Sequence, residues 1–267
     1  MINTNNSLKT LTLAACIALA APGTFAQGFD TVRLSGAPGK DSGSVGAAVI
    51  AAYEYQGSDE RRTRVLPVLD YQWANGWFAG ISNGIGYNFS QSAQLQYGVR
   101  LTADGGREAK RANALRGMGD INAAAEGGAF FNYSPVQGLL LNSSVRYGAG
   151  SDHKGLVVDL GADYSTAIAA KWHLSAGAGI TLANANYMQS FFGVTGAQSA
   201  ASGYAVQSAG AGARDVRAKV ALTYLLDKRT SVTGAVAVSS LLGDAKDSQL
   251  THKRTSGSAV VAVTYAF

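Results

Sequence analysis

A chain of 267 residues with 47% apolar content, 33 glycines and only 4 prolines suits a packed fold and excludes a disordered one. The formal charge of +5 is modest, and no nucleic-acid partner is expected. Beyond the N-terminus no apolar run reaches the ~18 residues of a membrane helix, so any spanning falls to strands.

Residues 1–26 read as a secretory signal peptide: a polar start with Lys9, an apolar run from Leu11 to Ala21, and a small-residue ending at Thr24-Phe25-Ala26, with cleavage expected after Ala26. Leu13-Ala14-Ala15-Cys16 has the look of a lipobox, but the apolar run continues past it, which favours the Ala26 site. Cleavage there removes the single cysteine and lowers the net charge by one. Residues 27–43 show no periodicity and are expected to be a periplasmic segment ahead of the first strand that binds a periplasmic partner through Phe29, Val32 and Leu34.

Alternation begins at Ser44, with Val45, Ala47, Val49, Ala51, Tyr53 and Tyr55 on one face. A second run sets Val65, Leu69, Tyr71 and Trp73 against Arg64 and Asp70, and Asn75-Gly76 marks a hairpin turn. Trp77 to Phe89 reads as two short strands or one long one. Further alternating runs centre on Tyr97, Phe131, Val145, Leu160, Leu174, Val220 and Val236, and the last, Thr255 to Phe267, ends on two aromatics of one parity. Runs of about ten residues, short turns alternating with long polar loops, and aromatics gathered at strand ends together predict an antiparallel transmembrane β-barrel over residues 44–267. Twelve strands fit if Trp77 to Phe89 is two of them, ten if it is one. Short connections belong on the periplasmic side, so both termini are expected there.

Several segments then resemble the MipA/OmpV family of outer-membrane proteins: Tyr55-Gln56-Gly57-Ser58-Asp59, Gly84-Ile85-Gly86-Tyr87-Asn88, Arg116-Gly117-Met118-Gly119-Asp120-Ile121, Asp159-Leu160-Gly161, Tyr187 to Thr195 (YMQSFFGVT) and Ser240 to Ala245 (SLLGDA). The resemblance implies a Gram-negative outer-membrane barrel and, for the family's name-giving member, a scaffold joining a murein lytic transglycosylase to a murein synthase. Porin-like and adhesive roles are the alternatives it carries. Where the family often has proline, this chain has Tyr53 and Gly196.

No cofactor or metal site and no catalytic residue is expected. Ser151-Asp152-His153 holds triad residue types, but neighbours in an extended segment point apart. Strand parity sends Glu54, Arg64, Asp70, Arg100, Glu126, Arg146, Asp159, Asp163, Asp215, Arg217 and Lys219 into the lumen, either neutralising one another or lining a narrow pore. Arg107, Lys110 and Arg111 fall in a long loop on the outer side, where lipopolysaccharide phosphates would meet them.

Overall fold

The computed structural model describes residues 32, 34 and 39–267. The signal peptide with its cleavage site, Cys16 and Phe29 lie outside the described residues. Twelve antiparallel strands close into a barrel, each paired with its neighbours in sequence and the first with the last. They are β1 Ser42–Tyr53, β2 Arg61–Gln72, β3 Trp77–Gly80, β4 Gly84–Asn88, β5 Leu95–Asp104, β6 Ala124–Tyr133, β7 Leu139–Ala149, β8 Gly155–Ala169, β9 Trp172–Ala183, β10 Gly212–Leu225, β11 Thr230–Leu241 and β12 Thr255–Ala266. Twelve, not ten, is thus the count, with Trp77 to Phe89 broken at residues 81–83.

Closure satisfies every strand edge that it pairs, which is the condition for crossing hydrocarbon with β-structure. The seam runs from Ser44↔Ala266 to Ala51↔Ala259, and Gly43 and Phe267 exchange backbone hydrogen bonds of 2.9 Å at its foot. One parity of each strand is exposed and apolar, as in Val45, Val49, Val65, Leu69, Val220, Val236, Val261 and Val263. Outside water such a surface is unremarkable, because lipid solvates it.

The two ends of the barrel differ. At one, here the turn end, the connections are short and both chain termini of the barrel sit. Outward aromatics form a belt there: Tyr71 and Trp73 with centroids 4.8 Å apart, Trp77 and Tyr87 at 5.4 Å, Tyr87 and Phe89 at 5.3 Å, Trp172 and Tyr224 at 4.7 Å. At the other, the loop end, the long connections carry α1 Ala185–Phe192, α2 Gly196–Ser202, α3 Gly243–Lys246 and two single-turn 3₁₀ helices at Ala109–Arg111 and Asn113–Leu115.

Candidate functional site: a lumen capped at both ends

The loops at the loop end pack on one another. Asn184 caps α1 by accepting the Tyr187 N–H, and Thr195 with Gln198 forms a capping box at the start of α2. Helix α1 lowers Tyr187, Met188 and Phe192 onto Val157, Ala183 and Leu241 of the inner wall and onto Ala245 of α3. A second cluster joins Tyr55, Leu115, Met118, Val194 and Leu250, drawn from every long loop of that end. Buried polar ties fix it: the Tyr55 hydroxyl donates to Leu250 O at 2.8 Å, Ser248 to Phe192 O at 2.6 Å, and Gln198 Nε2 to Met118 O at 2.7 Å. Tyr55 was expected on the outer face with Tyr53, but β1 ends at Tyr53 and the alternation ends with it. Gly117, at φ +77°, lies so close to Ala201 O that a Cβ would collide with it, which is how the 105–123 loop seats under α2.

Of the three loop cations expected to meet lipid phosphate, the structure brings none into a shared outward site. Arg107 is buried, with Nη1 donating to Phe191 O at 2.6 Å, and among the described residues no carboxylate pairs with it; desolvation lowers its pKa to about 10. Arg111 pairs with Glu108 and, at 3.8 Å, with Glu54. Lys110 is exposed, 3.4 Å from Glu108. The reason is that the loop folds inward onto its neighbours and turns its guanidinium groups with it.

Below this lid the lumen carries the charges the parity assigned to it. Asp159 is 2% exposed and accepts from Arg146 at 3.0 Å, from the Thr181 hydroxyl at 2.7 Å and from Arg217. Arg146 also reaches Glu126 at 2.9 Å, and Lys219 holds Asp163 at 2.9 Å. Asp215 sits between Arg217 at 3.9 Å and Arg214 at 2.6 Å. Arg64 and Arg62 hold Glu54 at 2.8 and 3.2 Å. Arg100 donates to the Ser144 hydroxyl at 2.7 Å, and Asp70 accepts from Asn83 at 3.1 Å. Arg214 escapes the sequence pattern because β10 shifts register against β9 between Ala213 and Asp215. The shift lets consecutive residues face inward, and Arg214 bonds the Tyr187 hydroxyl of the lid at 2.8 Å.

At the turn end Val32 and Leu34 lie against the inner wall. Val32 is 1% exposed and packs on Phe78 and Phe130, whose rings meet edge-on at 5.7 Å. Asn132 Nδ2 donates to Val32 O at 2.8 Å, and Leu34 packs against the same cluster. Val32 and Leu34 therefore reach a partner only if the segment leaves the barrel. Ser151, Asp152 and His153 make no relay: Ser151 bonds Ser190 at 3.1 Å, while the Asp152 carboxylate takes the Asn186 amide at 2.6 Å and the Lys154 N–H at 3.1 Å. Among the described residues no group of His, Cys, Asp and Glu could hold a metal.

Solved structures with a similar fold include the KdgM porin, at 11% identity and a TM-score of 0.44 over 84% of this chain and 99% of that one. An outer membrane channel from Pseudomonas putida F1 gives 12%, 0.46, 90% and 98%, and the NanC porin 9%, 0.45, 82% and 98%. No curated protein sequence matches. The family model for the MltA-interacting protein MipA matches residues 45–267, all but the first three residues of the barrel, and the chain is a MipA-family outer-membrane β-barrel.

Proposed function

We propose that this barrel is a closed envelope scaffold whose turn end faces the periplasm and there holds a murein lytic transglycosylase and a murein synthase. One observation supports the closed state: protein stands inside the barrel at three levels, as the packed lid at the loop end, as paired charges in the middle and as Val32 on Phe78 and Phe130 at the turn end. A scaffold needs a rigid, folded body, and buried charge pairs plus a packed lid supply rigidity without a through-path. The family's description names an MltA-interacting protein, which supplies the partner class.

A second reading, a small-solute channel, draws on the same Val32. A tethered segment in the turn end is a stopper if it can leave. Deleting residues 29–40 behind an intact cleavage site separates the readings: conductance that appears only on deletion marks a stopper in a channel, and loss of a murein enzyme from a barrel that stays silent marks the scaffold. If the intact barrel is silent in planar bilayers and co-purifies a periplasmic murein enzyme, the scaffold stands. Stable conductance steps from the intact protein, with no such partner retained, would overturn it in favour of the channel.

A further inference from the structure

The wall of the barrel is not of even height. β3 and β4 are 4 and 5 residues long, whereas β2 on one side has 12 and β5 on the other has 10. The β2–β3 ladder covers only Asp70–Gln72, closed above by Ile81 N–H donating to Leu69 O at 2.9 Å, and the β4–β5 ladder stops at Leu101. Above the hairpin tip no described residue pairs with β2 on that side. Backbone groups alternate in direction along an antiparallel strand, and Leu69 and Trp73 both bond towards β3. Pro67, Val65 and Thr63 therefore aim their backbone groups into the same gap. Pro67 fits this reading, since a proline is tolerated where its missing N–H would have had no ladder partner.

The gap is a notch in the membrane band. Val65 pairs with Val49, and Val49 with Val261, all outward and exposed, so the notch opens at the depth of the lipid-facing apolar surface. Two missing strands leave β2 and β5 roughly 14 Å apart at a strand spacing of ~4.8 Å. The 105–123 loop crosses above it, where Asn113 N–H donates to the Glu60 carboxylate at 2.9 Å.

Behind the notch the lumen changes character. Most of the charged residues stand on β5 to β10, and on β2 Arg64 and Asp70 flank a short apolar stretch: the inward parity of β12, β1 and β2 reads Val260, Ile50, Leu66 and Val68, with alanines and small polar residues making up the rest of β12 and β1. Ile50 is directly paired with Val260, and Ala48 with Leu66. All four large side chains are partly exposed although they face inward, so protein does not fill the space against them. An apolar wall with room beside it, under the packed lid of the loop end and open sideways to hydrocarbon, favours a chain of methylene groups over water.

We propose that the notch between β2 and β5 admits an acyl chain of a membrane lipid into the lumen, where it lies on the apolar wall of β12, β1 and β2. The outward apolar surface of Val65 and Leu69 continues through the notch to Leu66 and Val68, which gives the chain an unbroken path, and the free backbone groups of Thr63 and Val65 can hydrogen-bond the lipid's polar ester region.

The experiment uses the full barrel with Trp73, Trp77 and Trp172 changed to phenylalanine and one tryptophan restored in turn by L66W, V68W, V65W or A237W. Each variant, checked for insertion by heat-modifiability, is placed in vesicles of dibrominated phosphatidylcholine and, separately, titrated with iodide. V65W faces lipid and sets the full quenching. A237W faces the lumen behind an unbroken wall. The expected result is bromolipid quenching of L66W and V68W to at least half that of V65W, with A237W unquenched. Quenching of L66W and V68W by iodide alone would make the space aqueous and overturn the proposal. No quenching of either by either agent would mean a sealed wall, and equal bromolipid quenching of A237W would mean that entry does not use the notch; each of these also overturns it.

Discussion

Replacing Asp159 by asparagine keeps the side-chain volume and removes the charge at the centre of the lumen. In the intact protein that carboxylate takes two guanidinium groups, Arg146 at 3.0 Å and Arg217, while 2% exposed. A hydrogen bond to a charged group contributes about 1.5–3 kcal/mol, and the amide oxygen of asparagine can keep one of the two in neutral form. The amide nitrogen must then face a donor. The expected loss is therefore ~3–5 kcal/mol, the range for breaking a buried pair by removing one partner. Urea unfolding of the detergent-solubilised barrel, followed by tryptophan fluorescence and by band shift on unheated gels, measures it. The pairing also predicts non-additivity: Arg217→Met placed on Asp159→Asn should cost less than the sum of the single losses by at least ~1.5 kcal/mol, because the second change removes a cation that has already lost Asp159 and keeps Asp215 at 3.9 Å. If D159N lies within ~1 kcal/mol of the parent, or the two losses simply add, the lumen charges are solvated independently and the reasoning fails.

Arg107→Met should cost clearly less than D159N in the same assay, since Arg107 is buried against a carbonyl with no carboxylate partner and its removal also relieves desolvation. Burial raises the Tyr187 phenol to about 12, so the folded lid holds that proton more tightly than the unfolded chain. Lid stability from this source is complete below about pH 10 and falls as pH climbs towards 12; hydrogen exchange of α1 should show the loss, and Tyr187→Phe should remove that pH dependence. A cysteine at Lys246 should react with an impermeant reagent on intact cells while one at Lys228 does not, and the opposite pattern would invert the barrel. Gly84→Ala should destabilise the β3–β4 tip, where φ is +75° and a Cβ would collide with Leu101 O, seen as a lowered unfolding midpoint against an Ala79→Gly control.

The wall was legible in the sequence because a barrel between lipid and lumen imposes a strict period of two, and a strand such as Val216 to Tyr224 has no other way to bury its charges. The same period assigns Asp159, Arg146 and Lys219 to the inward face, where Asp159 meets Arg146 and Lys219 meets Asp163. It had no means of placing Arg214, since one shifted residue reverses parity without any mark in composition. Nor did it reach the lid. Tyr55, Met118, Tyr187 and Ala245 come from loops far apart in sequence, and their contacts depend on where the strands deliver those loops. The YMQSFFGVT segment could have hinted at a packed helix, because aromatic and apolar side chains that dense are poorly suited to a solvated loop. The notch left one trace, Pro67 in the middle of an otherwise regular strand.

The seam between β1 and β12 governs the order in which the barrel can be made. Hairpins such as β8–β9 and β10–β11 join residues close in sequence, and each can form as soon as its second strand exists. Ser44 must wait for Ala266. Until that last pairing, the nascent sheet has two open edges whose donors and acceptors tolerate neither hydrocarbon nor each other's absence, and closure over so long a separation is the slow, entropically demanding step. Insertion and closure are thus coupled: an open sheet released into the bilayer early would expose both edges to lipid, and one held too long in water would offer them to any other strand. The reciprocal bonds between Gly43 and Phe267 make Phe267 part of the latch, so that its loss would act on assembly before it acts on the finished barrel.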